Sequence, residues 1–157
     1  NHMTIELVLP YFDMDSPSFK KLVKAFRILM FEEVAKSKLP GLIFTYVWQL
    51  DSKNDCTFID TIVKIFEQEN ATVCFVELEA SVEVRLERNR SPNRLKYKAS
   101  KNDFKVSEKE LLDSDLLQIL NSGKGEFKGK NYMKINNQNL SADSVAKMIS
   151  ERFDLEH

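Results

Sequence analysis

Seven basic side chains fall between residues 85 and 101, in a chain whose formal net charge is only −1. Because the total charge is close to zero, this cluster is a local patch and not a sample of a generally basic surface. Guanidinium groups fork onto the oxygens of phosphates and carboxylates, so the cluster predicts an anion-binding site. Its members are Arg85, Arg88, Arg90, Arg94, Lys96, Lys98 and Lys101.

The spacing of this basic cluster favours a helix followed by a separate arm. Arg85 and Arg88 are three residues apart and would share one helix face. Ser91-Pro92 should end the helix, which places Arg94 and the lysines on a segment that can close over a ligand. The alternative is an ordinary solvated helix face whose acidic neighbours neutralise the arginines, with Glu83 and Glu87 pairing to Arg88 and Arg90.

Other kinds of chemistry have little support in the sequence. Cys56 and Cys74 lie in apolar segments without the spacing of a metal site, so we expect them to act as small core residues. His2 is the only histidine besides the terminal His157, and Ser-His nucleophilic catalysis is therefore not expected. Residues 155–157 resemble the start of a histidine tag, and residues 1–3 are either native or a cloning remnant.

Helical patterns dominate the chain. Apolar residues recur at helical spacing in 4–9 and again after Ser16-Pro17, where a serine cap precedes a proline at the first helical position. A further helix is predicted to end near Asn70, and two more are predicted to begin after the serine caps Ser81 and Ser141. Ser107 and Glu110 form a predicted capping box that would begin another helix.

Three apolar runs read as strands between these helices, at 42–48, 72–78 and 132–135. The first two lack polar alternation, which is typical of strands covered on both faces of a parallel sheet. The sequence therefore predicts an α/β fold with a parallel sheet flanked by helices. Ligands of such sheets gather at the carboxyl ends of the strands, which are expected here at Trp48–Asp51, Glu77–Ser81 and Ile135–Asn137.

The second half of the chain combines several recognisable stretches: the run "TVCFVELEA", the serine-capped "VRLERNRSPNR", the basic arm, a short strand and the final "LSADSVAKMI". In this combination it resembles the P-loop small-molecule kinases. The relatives in question are the shikimate-kinase-like, adenylate-kinase-like and chloramphenicol-phosphotransferase-like proteins. The resemblance implies a single kinase-like domain over residues 1–154, with a basic lid at about 88–105.

The resemblance also implies roles for individual residues. By position Arg85 would be the arginine beside the adenine, and the lid arginines that contact the transferred phosphate would be Arg88, Arg90 and Arg94. "LIFTYVWQLD" resembles the family's third strand, which makes Asp51 a candidate near the substrate. If the first residues are native, His2 would face the acceptor substrate. ATP and Mg²⁺ are the implied cofactors.

One departure from the family is severe, because the phosphate loop GxxxxGK[ST] does not occur in the sequence. "SGKGEFKGK" has glycines and lysines at the wrong spacing and does not replace it. About 30 residues that form a first strand, the phosphate loop and a helix are therefore expected upstream, a length typical of such a unit.

Two functions follow from these patterns as hypotheses. The first is an ATP-dependent phosphotransferase that acts on a small molecule and is incomplete as given. The second is a non-catalytic α/β module whose basic arm binds an anionic partner, either RNA or an acidic protein. Nucleic acid is the less favoured of the two partners, because base stacking needs aromatic side chains and few lie near the arm in the sequence. No segment reads as a membrane span or secretory leader, and a cytoplasmic protein is expected.

Overall fold

The computed structural model describes residues 2–91, 104–123, 125–127 and 131–155, with the side chains of His2 and Phe104 outside the description. These residues group into two compact units. Unit 1 comprises Asn1–Trp48 with Ser52–Thr72, and unit 2 comprises Gln49–Asp51 with Val73–His157. The predicted single kinase-like domain over 1–154 stays a prediction.

Unit 1 is helical, with α1 at His2–Val8, α2 at Pro17–Lys36 and α3 at Lys53–Gln68. The predicted start of α2 is confirmed, because the Ser16 hydroxyl accepts from the Phe19 N–H at 3.2 Å and Pro17 takes the first helical position. Two apolar clusters hold these helices together. Val8, Phe19 and Val23 form one, and Phe31, Phe58 and Ile62 form the other.

The prediction of a strand at 42–48 is wrong. This segment has no ladder partner among the described residues and forms no strand. Phe44 and Tyr46 pack against the cluster of α2 and α3, whereas Ile43 is 93% exposed and Val47 is 68% exposed. A continuous apolar run predicts coverage on both faces, but in unit 1 only every second side chain of this run is covered.

Unit 2 contains the sheet. Its elements are β1 at Phe75–Glu79, α4 at Val82–Asn89, α5 at Phe104–Leu117, β2 at Tyr132–Asn136 and α6 at Ala142–Phe153. The two strands pair in parallel, with Phe75 opposite Tyr132 and Glu79 opposite Asn136. The described part of the chain is thus mixed α/β, with a two-stranded parallel sheet and six helices.

Two of the predicted serine caps in unit 2 are confirmed and one is wrong. Ser81 and Ser141 accept from the backbone N–H groups of Val84 and Ser144, as predicted for the first turns of α4 and α6. Ser107 lies inside α5 and is buried, and its hydroxyl donates to Asn89 Oδ1 at 3.0 Å. Ser107 therefore does not cap a helix; its hydroxyl forms a hydrogen bond between two packed helices, which is another way for a serine hydroxyl to find a partner.

Candidate functional site

Helix α4 positions three of the arginines in the basic cluster. It begins three residues after the last residue of β1, because Ser81 caps it at the carboxyl end of the strand. Of the three, Arg88 contacts the loop directly after β2, at the edge of the sheet where ligands of parallel sheets gather. Each of the three guanidinium groups has a partner within unit 2, and the three groups differ in how accessible they remain to a ligand.

Arg88 is held by the loop that follows β2. Its guanidinium donates to the Asn137 side-chain oxygen at 3.0 Å, to the Asn137 carbonyl at 2.7 Å and to the Gln138 carbonyl at 3.1 Å. Three acceptors in a fixed fork make this contact specific to arginine. Arg88 thus fastens α4 to the carboxyl end of β2.

Arg85 points to α5, where it forms an ion pair with Asp115. Its side chain is 29% exposed, and its Nε is buried without a hydrogen-bond partner among the described residues. This ion pair and the contact between Asn89 and Ser107 join α4 to α5. Arg85 is a packing residue of this helix pair in the structure.

Arg90 is the most accessible of the three, with a side chain that is 65% exposed. Its Nε donates to Glu108 Oε1 at 2.5 Å. This hydrogen bond raises the pKa of Arg90 and lowers the pKa of Glu108. The expected alternative, in which Glu83 and Glu87 neutralise Arg88 and Arg90, is therefore wrong in its partners, because Asn137 and Glu108 take those places.

An open depression of about 520 Å³ lies beside the end of α4. From the helix it is lined by Val84, the Glu87 carboxylate, Arg88 and Arg90; just past the helix end it is lined by Ser91, and from the loop after β2 by Gln138 and Asn139. Side-chain amides, a hydroxyl and guanidinium groups offer many hydrogen-bond donors, which suits an anionic oxygen. This depression is the candidate functional site of the described residues.

A second polar cluster surrounds Glu77 on β1, and no motif in the sequence assigns it a role. The Glu77 carboxylate accepts from the Tyr132 hydroxyl at 2.6 Å, the Ser122 hydroxyl at 2.7 Å and the Asn121 amide at 2.9 Å. Lys134 lies 3.1 Å from the same carboxylate and also donates to the Ser122 carbonyl at 2.7 Å. This Glu77 cluster ties the chain around 121–122 to both strands.

The Glu77 cluster changes the acidity of its members. Burial alone would raise the pKa of Glu77, but the hydrogen bonds from Tyr132, Ser122 and Asn121 together outweigh burial and lower it to about 2. Burial, and next the hydrogen bond to Glu77, raise the pKa of Tyr132. The only sequence signal for the cluster is a glutamate in a strand otherwise rich in apolar residues.

Of the three other predicted site residues, Asp51, Arg94 and His2, only Asp51 has a described side chain, and it is not among the residues that line the depression. Asp51 is exposed in the 49–51 segment, where the Leu50 N–H donates to the Ile119 carbonyl at 2.8 Å. Arg94 and most of the predicted lid at 88–105 lie outside the described residues, as does the side chain of His2. Their predicted roles stay predictions.

The donors around the depression fit phosphate oxygens better than a metal ion. In the described ranges, no group of three histidine, cysteine or acidic residues has a geometry that would hold a metal. In the same ranges, no helix has the length and apolar character needed to cross a membrane.

Comparisons with family profiles, with curated proteins and with solved structures found no match to this chain.

Proposed function

We propose that unit 2 binds the phosphate groups of a nucleotide and belongs to an ATP-dependent phosphotransferase that acts on a small molecule. One observation carries the proposal: an open depression rich in donors, with Arg88 and the exposed Arg90 on its wall, lies beside the ends of two parallel strands. The resemblance of the second half of the chain to P-loop small-molecule kinases supports the same function.

In this proposal the three described arginines have different tasks. Arg90 binds phosphate oxygens directly. Its guanidinium either contacts the phosphate and Glu108 together or exchanges Glu108 for the phosphate, because an exposed ion pair is weak. Arg88 is a positioning residue, because its bonds to Asn137 and Gln138 hold the loop that forms the opposite wall. Arg85 positions α4 on α5 through Asp115.

The donor nucleotide needs more than this depression. A magnesium ion that arrives with ATP neutralises phosphate charge when bound. The proposal also requires a phosphate loop from a segment outside the 157 residues, since the sequence lacks GxxxxGK[ST]. Within unit 2 the side-chain amides of Gln138 and Asn139 would orient the phosphates, and Arg90 would supply positive charge.

The test is a calorimetric titration of the chain with ATP, using Arg90→Ala and a matched control. Without a phosphate loop, we expect a weak dissociation constant, on the order of 1 mM. Arg90→Ala should weaken binding about tenfold, which corresponds to the loss of one charge-assisted hydrogen bond.

The control is Lys147→Ala on α6, which also removes one positive charge from an exposed ion pair, here with Glu151. Its affinity for ATP should stay within about twofold of the unmodified chain. Equal affinities of Arg90→Ala and the unmodified chain would contradict the proposal.

A second function has one observation in its favour. The depression is open, and Arg90 is largely exposed, as expected for a surface that meets a flat polyanion. If the chain is an RNA-binding module, single-stranded RNA should bind more tightly than ATP and lose affinity steeply as salt rises. A kinase-like site should instead prefer ATP and show a shallow dependence on salt.

A further inference from the structure

We propose that residues 42–47 act as an edge strand that pairs, in antiparallel orientation, with the same segment of a second copy of this chain. The segment has the sequence "LIFTYV", in which β-branched and aromatic residues dominate and no residue is charged. Uncharged runs of this composition pair readily as strands between chains. The association involves unit 1 and does not depend on the proposed nucleotide site.

The backbone of segment 42–47 has hydrogen-bonding groups to offer. Among the described residues, no hydrogen bond involves the backbone N–H or C=O of any residue in this segment. A row of such unpaired groups is a template for another strand, and main-chain hydrogen bonds supply the affinity when a strand is added. Pro40 has no N–H and therefore limits the pairing on its side of the segment.

Side chains alternate along the segment as they do in a half-buried strand. Phe44 and Tyr46 pack against the apolar cluster of α2 and α3, and their ring centroids are 5.8 Å apart. Ile43, Thr45 and Val47 are exposed. This period of two is the geometry of an extended backbone. One face thus holds the segment on unit 1, while the other face is open to a partner.

A two-fold axis at Thr45 gives the pairing a definite register. Thr45 then lies opposite the same residue of the second copy, and Ile43 of each copy lies opposite Val47 of the other. Pairs of β-branched side chains and Thr–Thr pairs are favourable neighbours across strands. The backbone groups of Ile43, Thr45 and Val47 together form about six hydrogen bonds in this register.

The size of this interface predicts a weak dimer. Interfaces carry roughly one hydrogen bond per 100–200 Å² of buried surface, so that about six bonds correspond to about 600–1,200 Å². This area lies at the low end for specific complexes, where association is transient. We therefore expect a dissociation constant on the order of 100 µM.

Sedimentation equilibrium of the full chain tests the association. The average mass should rise from that of a monomer towards that of a dimer over about 5–500 µM, a range that brackets the expected constant. A chain that stays monomeric over the whole range would overturn the proposal. Growth into fibres would overturn it as well, because a closed two-fold pairing stops at two copies.

Paired substitutions at exposed positions test the register. Ile43→Lys with Val47→Lys sets like charges opposite each other and should weaken dimerisation at least about tenfold. Ile43→Lys with Val47→Glu sets opposite charges across the same pairs and should keep the dissociation constant within about threefold of that of the unmodified chain. An equal loss in the two double variants would overturn the register.

The matched control is Met3→Lys on α1, because Met3 is 82% exposed in the same unit but lies outside the segment. Its dimerisation should stay within about twofold of that of the unmodified chain, since an exposed charge away from the interface is screened by salt. A loss as large as that of Ile43→Lys with Val47→Lys would mean that the copies associate through α1, and would overturn the proposal.

Amide hydrogen exchange, followed by NMR, tests the backbone pairing directly. The N–H groups of Ile43, Thr45 and Val47 face the second copy in this register, whereas those of Phe44 and Tyr46 face away. The first three should exchange about threefold more slowly in concentrated than in dilute solution, because only the monomer leaves them open to water. Exchange that does not depend on concentration would overturn the pairing, and equal slowing of all five would overturn the register.

Discussion

Units 1 and 2 are stabilised by different kinds of contact. In unit 1 the Phe31 ring meets Phe44 edge-on at a centroid distance of 4.9 Å, and Tyr46 packs against Phe58 at 5.5 Å. In unit 2 the strands are joined through the Glu77 carboxylate, which accepts hydrogen bonds from the side chains of Asn121, Ser122 and Tyr132. Aromatic packing dominates the contacts of unit 1, whereas unit 2 has a charged carboxylate, that of Glu77, among the contacts between its strands.

The same contrast holds for the titratable groups. Burial, and next the neighbouring Asp55, raise the pKa of Tyr46 in unit 1 to about 12, so that this phenol stays neutral. Hydrogen bonds lower the pKa of Glu77 in unit 2 to about 2, so that this carboxylate stays charged. Hydrogen bonds therefore favour the charged form of Glu77 in unit 2, whereas burial favours the neutral form of Tyr46 in unit 1.

The largest expected effect is on the apolar side of this comparison. Phe31→Ala should lower the free energy of unfolding by about 3–5 kcal/mol, because a buried aromatic ring is lost and a cavity remains. Urea denaturation followed by the fluorescence of Trp48, the only tryptophan, measures the change.

Leu29→Ala on the same helix is the matched control, because Leu29 is 57% exposed. Its effect should stay within about 0.5 kcal/mol. Similar losses for Phe31→Ala and Leu29→Ala would show that the aromatic cluster is not the centre of unit 1.

An intermediate effect is expected from Glu77→Gln. At neutral pH this change should lower the free energy of unfolding by about 2 kcal/mol, since charged hydrogen bonds are replaced by weaker neutral ones. The pKa of Glu77 is lower in the folded chain than the ordinary 4.5. Its stabilisation is therefore fully present above about pH 4.5 and is lost as pH falls towards 2.

Urea denaturation at several pH values, followed by circular dichroism, tests this prediction. The difference between the unmodified chain and Glu77→Gln should shrink from about pH 5 to about pH 2. Glu79→Gln serves as the control on the same strand, since its carboxylate is 42% exposed and lies 3.7 Å from Lys134. A difference that does not change over this range would contradict the role given to the Glu77 charge.

Features set by neighbouring residues could be predicted from the sequence. The caps at Ser16, Ser81 and Ser141 and the positions of strands β1 and β2 along the chain follow from local patterns, and the structure contains them. The conformation of segment 42–48 could not be predicted from local patterns. Its apolar run is compatible with a strand, but a strand also needs a partner, and pairing depends on distant residues.

The candidate site shows the same limit. Composition and spacing indicate Arg88 and Arg90, but not that Arg88 is held by Asn137 and Gln138 while Arg90 stays exposed. The side chains that donate hydrogen bonds to Glu77, those of Asn121, Ser122 and Tyr132, lie 44 to 55 residues away in the sequence, and no local pattern predicts them. Contacts of this kind appear only when the fold brings separate elements together.

The most direct test of the central claim is a ¹⁵N-labelled titration of the chain with Mg-ATP, followed by backbone chemical shifts. The account predicts that the largest shifts fall on Arg88, Arg90, Ser91, Gln138 and Asn139, which line the depression. Saturable shifts confined to unit 1, or no saturable shifts at all, would contradict a nucleotide site at the end of α4.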